Sequence, residues 1–84
     1  SLRSQLMVHP ESDANDFADL QKASLATYRR TPLMDRVYLT TLVEGAGQKI
    51  DNYFAQIKQF DTAKEAIRAV RQKQFDCVMI NTMV

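Results

Sequence analysis

The stretch from Asp61 to Ile80 constrains this chain most. Thr62 and Glu65 stand three residues apart, the spacing at which each side chain bonds the other residue's free backbone N–H and starts a helix. Ala63, Ala66, Ile67 and Val70 then recur at helical spacing, with Lys64, Arg68, Arg71 and Lys73 mostly outside the stripe. Gln74 ends the run. Phe75-Asp76-Cys77-Val78-Met79-Ile80 follows as a hydrophobic strand. A one-sided helix leading straight into a strand that is apolar on both faces needs further strands beside it and helices above and below. That is an α/β fold with parallel strands.

The remaining pattern extends this plan toward the N-terminus. Ile57-Lys58-Gln59-Phe60 alternates like a half-exposed strand. Ala46, Ile50, Tyr53 and Phe54 fall at helical spacing, and Gly45-Ala46-Gly47 breaks the chain before them. Arg36–Val43 is dense in β-branched and aromatic residues and reads as a strand buried on both faces. Residues 13–33 read as an amphipathic helix and linker. Asp13, Asp16 and Asp19 open it, Arg29 and Arg30 close it, and Thr31-Pro32 stops it. Its stripe of Phe17, Leu20, Ser24, Leu25 and Tyr28 makes Phe17, Leu20, Leu25 and Tyr28 the candidate interaction surface. Residues 1–12, with Pro10 and Glu11-Ser12-Asp13, read as a flexible arm. The expectation is a flavodoxin-like βαβαβ parallel sheet over residues 36–84, preceded by a helix.

Composition bounds the function classes. The 84 residues carry 11 basic and 10 acidic side chains, so no charge surplus points to nucleic acid or an acidic tail. The single cysteine, Cys77, rules out an internal disulfide and reads as a small hydrophobe in a buried strand. The apolar runs are too short for a membrane span or a signal peptide, and the cytoplasm is the expected compartment. A first residue of serine suggests a fragment. His9, the only histidine, lies in the unpatterned arm, so no histidine metal site or triad can be assembled.

Ala63–Asn81 resembles the second helix and third strand of response-regulator receiver domains. That family typically has a Glu-Ala-Leu helix, a short basic-polar turn, then Phe-Asp-Leu-Val-Leu-Leu-Asp. Glu65-Ala66-Ile67 and Phe75 through Asn81 hold the same spacing, and Arg36–Thr40 resembles the family's first strand. The resemblance implies a phosphate-accepting aspartate where Asn81 stands and a metal-binding acidic pair where Thr41 and Leu42 stand. An amide is a poor nucleophile, and neither threonine nor leucine offers magnesium a carboxylate. The resemblance therefore implies a pseudo-receiver without phosphotransfer chemistry, acting through a protein partner or as a homodimer, with no cofactor, metal, nucleic acid or membrane. Only three strands are expected, which leaves the Phe75–Ile80 strand with an open edge.

Two alternatives come from other classes. Behind that reading, the chain can also be read as a fragment of a flavodoxin-like enzyme or small-ligand-binding domain, with Gly45–Gly47 facing a phosphate-bearing ligand, or as a small dimerisation module. Cobalamin-binding domains share the element order, but Glu44–Lys49 lacks the histidine their loop requires.

Overall fold

The computed structural model describes residues 2–29 and 33–83. Its framework is a four-stranded sheet ordered β1-β4-β2-β3, built from β1 (Leu2–Val8), β2 (Ser24–Tyr28), β3 (Gln56–Phe60) and β4 (Cys77–Met83). β2 runs parallel to both β3 and β4, while β1 is antiparallel to β4. Helices α1 (Leu33–Gly45), α2 (Ile50–Tyr53) and α3 (Ala63–Arg71) complete a mixed α/β domain.

Strand alternation divides the core in two. Leu25, Cys77 and Met79 face α1, α2 and the 3₁₀ turn Phe17–Leu20, together with Leu39, Val43, Tyr53 and Phe54. Their neighbours Ala26 and Val78 point the other way, onto Ala66 and Val70 of α3. Consecutive buried residues of this kind mark central strands covered on both faces.

β3, α3 and β4 occupy the segments that the sequence pattern assigns to them. Thr62 caps α3 by accepting the Glu65 backbone N–H at 3.1 Å. Three other expectations are corrected. Residues 1–12 contain β1 rather than a free arm, with Ser4 opposite Asn81 and Leu6 opposite Met79. The edge of β4 expected to stand open is therefore covered by the chain's own N-terminal segment.

Residues 13–33 do not form one amphipathic helix. Phe17–Leu20 is a single 3₁₀ turn, Lys22 takes a left-handed φ of 66°, and β2 begins at Ser24. Leu25 and Ala26 are both fully buried, which a central strand accommodates and a one-sided helix does not. The Thr31-Pro32 stop lies outside the described residues.

The third correction is Arg36–Val43, which is the body of α1 rather than a strand. Asp35, Leu39 and Val43 fall at i, i+4 and i+8 and form its buried face. Packing of that row on the sheet outweighs the strand preference of Val37, Thr40 and Thr41, which amounts to a few tenths of a kcal/mol per residue.

Candidate functional site

β2, β3 and β4 all point their carboxyl ends the same way, and the chain leaves those ends toward opposite faces. From β2 it passes to α1 and α2 on one face; from β3 it passes to α3 on the other. Between β2 and β3 the crossovers part, leaving the crevice in which open α/β sheets receive ligands.

A buried carboxylate lies beside this place, toward β4. Asp35, in the first turn of α1, is 1% exposed, the one charged side chain buried in the described core. Each of its oxygens takes one donor: Oδ1 accepts from Ser4 Oγ on β1, and Oδ2 accepts from Asn81 Nδ2 on β4 at 3.2 Å. Both bonds are charge-assisted, and the helix N-terminus adds favourable potential. Among the described residues no buried side-chain nitrogen or oxygen lacks a partner. Tyr28, at the end of β2, lies in the same field. Burial first, and the charge of Asp35 second, raise its phenol above the ordinary tyrosine value, while a hydrogen bond with the Asn81 backbone pulls it back.

Beside this network an open cleft of about 560 Å³ is lined by Tyr28, Arg29, Asp61, Thr62 and Ala63. The Arg29 guanidinium lies 2.9 Å from the Asp61 carboxylate, and both side chains are more than two-thirds exposed. An ion pair this wet contributes under about 1 kcal/mol, so either partner can be drawn to a charged ligand group at little cost.

Of the candidate site residues read from the sequence, Tyr28 lines this cleft and Asn81 belongs to the neighbouring Asp35 network. Thr41 and Leu42 are on α1, not at a strand end. Thr41 Oγ1 donates to the Val37 carbonyl at 2.8 Å, and Leu42 lines a separate cleft beside β1. Phe17, Leu20 and Leu25 are core residues rather than an outward stripe; Phe17 stacks on Tyr53 at 4.6 Å. Among the described residues no three His, Cys, Asp or Glu side chains gather as a metal site. No described helix is long and apolar enough to cross a membrane.

Gly45–Gly47 ends a helix rather than beginning one. Gln48 N–H donates to the Val43 carbonyl at 3.1 Å and Gly47 N–H to the Glu44 carbonyl at 2.9 Å, with Gly47 at φ 76°: a Schellman cap. The helix end there carries partial negative charge, which opposes a phosphate. Cys77 is buried, and burial followed by the charge of Asp76 pushes its thiol up to about 12.

No family model and no curated protein matches the chain. Solved structures do. The second substrate-binding domain of a putative amino acid ABC transporter from Streptococcus pneumoniae superposes with TM-score 0.70 at 19% identity over 95% of the chain. An arginine transport system periplasmic binding protein from Legionella pneumophila gives 0.66 at 15% identity over 93%. The chain spans 32% and 29% of those two proteins. At these identities the likeness is one of fold.

The receiver resemblance is thereby overturned, and with it the two-component signalling role. The fold neighbours are substrate-binding domains, and the segment matched to a receiver's first strand is a helix. The motif around Phe75–Asn81 reflects a helix–turn–strand unit that many α/β domains need.

Asp35 and Ser4 were missed in the sequence. Asp35 could have been found as the acidic member of the row Asp35-Leu39-Val43. Ser4 could have been found from the alternation of Arg3 and Gln5, exposed, with Ser4 and Leu6, turned inward.

Proposed function

We propose that the chain is part of a small-solute-binding protein, and that it holds an amino-acid-like ligand at the carboxyl ends of β2, β3 and β4. The observation that carries this reading is a loosely held guanidinium lining the cleft at the ends of β2 and β3, with a fixed amide on β4 next to Tyr28. Arg29 exchanges Asp61 for the ligand's carboxylate in a bidentate pair. Asn81 spends its Nδ2 on Asp35, so its Oδ1 is the atom left to accept from a ligand amine. Tyr28 supplies an aromatic wall between them. Asp35 and Ser4 are positioning residues that set the amide's orientation.

The likeness to two proteins named for amino-acid and arginine transport supports the solute class, and the chain's span of about a third of each makes the whole protein's ligand part of the proposal. Binding rather than catalysis fits the site, because a charged clamp and a fixed amide orient a ligand but supply no nucleophile with an adjacent base.

Thermal unfolding with each of the common L-amino acids is the direct test. A ligand at ten times its Kd adds about 1.4 kcal/mol, which raises Tm by roughly 5–10 °C in a domain this small. Arg29→Ala should abolish the shift while leaving the ligand-free Tm unchanged. If no amino acid or related amine shifts Tm at millimolar concentration, the proposal is wrong.

A further inference from the structure

A second cleft opens on the face of the sheet that carries α1, and the solute clamp uses none of it. It measures about 490 Å³, within the size range of small-molecule sites, and shares no lining residue with the cleft around Arg29. The sheet forms its floor, where Leu25 stands opposite Ile57 and Thr27 opposite Gln59. α1 forms its wall through two neighbouring rows, Asp35-Leu39 and Arg36-Thr40. Ile50 and Met79 complete the lining. We propose that this cleft binds a small aliphatic monocarboxylate, with its head on Arg36 and its chain on the apolar floor.

The lining specifies the chain. Leu25, Leu39, Ile50, Ile57 and Met79 supply aliphatic and thioether surface, and no aromatic ring offers a stacking plane. Ile57 is 46% exposed, a large apolar side chain left in water on the outermost strand, and an alkyl chain laid over it removes that surface from solvent. Covering the floor strands no polar group. Thr27 Oγ1 donates to the Lys58 carbonyl at 3.5 Å, and among the described residues no buried side-chain nitrogen or oxygen lacks a partner.

Charge specifies the head. Arg36 is the only cation in the lining and makes no ion pair among the described residues, where the salt bridges are Arg29–Asp61 and Lys73–Glu11. Asp35 is the only anion there, and Ser4 and Asn81 hold its two oxygens toward β1 and β4, away from β3. Arg36 also lies in the first turns of α1, whose N-terminus attracts the same negative charge. One free guanidinium matches one carboxylate in a bidentate pair. A doubly charged phosphate would stay half-neutralised with Asp35 nearby.

Titrating sodium octanoate into the isotope-labelled chain, followed by amide NMR shifts and without amino acids present, tests this independently of the solute-binding proposal. Saturable shifts are expected at Arg36, Thr40, Ile57 and Gln59, with Kd about 0.1–1 mM because the mouth stays wet. Each methylene added from butanoate to octanoate should tighten binding about three- to fourfold. Arg36→Gln should weaken it by about tenfold or more. Ile57→Glu, at an exposed position, should abolish it with an unchanged circular dichroism spectrum. Arg29→Ala should leave it unaltered, which separates this cleft from the solute clamp. No saturable shift below about 5 mM octanoate overturns the proposal. So does octylammonium binding as tightly as octanoate, or an Arg36→Gln variant that binds as well as the parent.

Discussion

Replacing Asp35 by alanine should remove about 3 kcal/mol of stability, a large share of what a domain of this size possesses. The carboxylate is 1% exposed and gives one oxygen to Ser4 Oγ and the other to Asn81 Nδ2. Deleting it leaves two polar groups without their acceptor. Each costs about 1–3 kcal/mol when water cannot replace the lost partner. Ser4 and Asn81 are themselves only half-buried, which places the sum in the lower half of the resulting range of about 2–6 kcal/mol. In urea, with m near 1 kcal/mol/M for a small domain, the midpoint should fall by about 2–4 M. The loss should not be additive: Ser4→Ala with Asp35→Ala should cost at least about 1 kcal/mol less than the two single changes summed. A loss under about 0.5 kcal/mol for Asp35→Ala, or strict additivity, would refute the account of a satisfied buried carboxylate.

Four further outcomes can be checked on the same protein. Gly47→Ala should cost about 1 kcal/mol by thermal unfolding, because φ is 76° and the space around it is open, so only backbone conformation opposes the methyl group. Gly45→Ala, in the last helical position with the same open surroundings, should be neutral or stabilising by up to about 1 kcal/mol. Thr62→Ala should lose about 1 kcal/mol through the orphaned Glu65 N–H. Stability should fall as pH rises above about 9, by about 1.4 kcal/mol per pH unit, because the unfolded chain ionises Cys77 at its ordinary value while the folded thiol holds its proton to about 12. Cys77→Ala should flatten that slope up to about pH 10, above which Tyr28 and Tyr53, also raised, add their own share.

The downstream half of the fold was legible because local signals and tertiary demands agree there. Thr62 caps α3, Ala66 and Val70 face the sheet, and Cys77-Val78-Met79 is apolar on both faces because both faces are covered. Upstream they conflict. The helical spacing of Phe17, Leu20 and Leu25 arises because a 3₁₀ turn and a strand deliver side chains to one core cluster. Val37, Thr40 and Thr41 favour a strand, yet the row Asp35-Leu39-Val43 binds the segment to the sheet as a helix. The site shares this split. Asn81 stood out as a strand-end residue, but its partners Ser4 and Asp35 lie 77 and 46 positions away, in the two segments whose structure was misassigned. Pairing across such distances is set by the sheet order, which no local window contains.

The antiparallel ladder between β1 and β4 runs from Val8↔Cys77 to Leu2↔Met83. Leu2 and Met83 thus sit side by side, about 5 Å apart, at one end of the ladder. Such a ladder keeps Ser4 in step with Asn81, so the two donors that hold Asp35 shift together rather than apart when the sheet flexes.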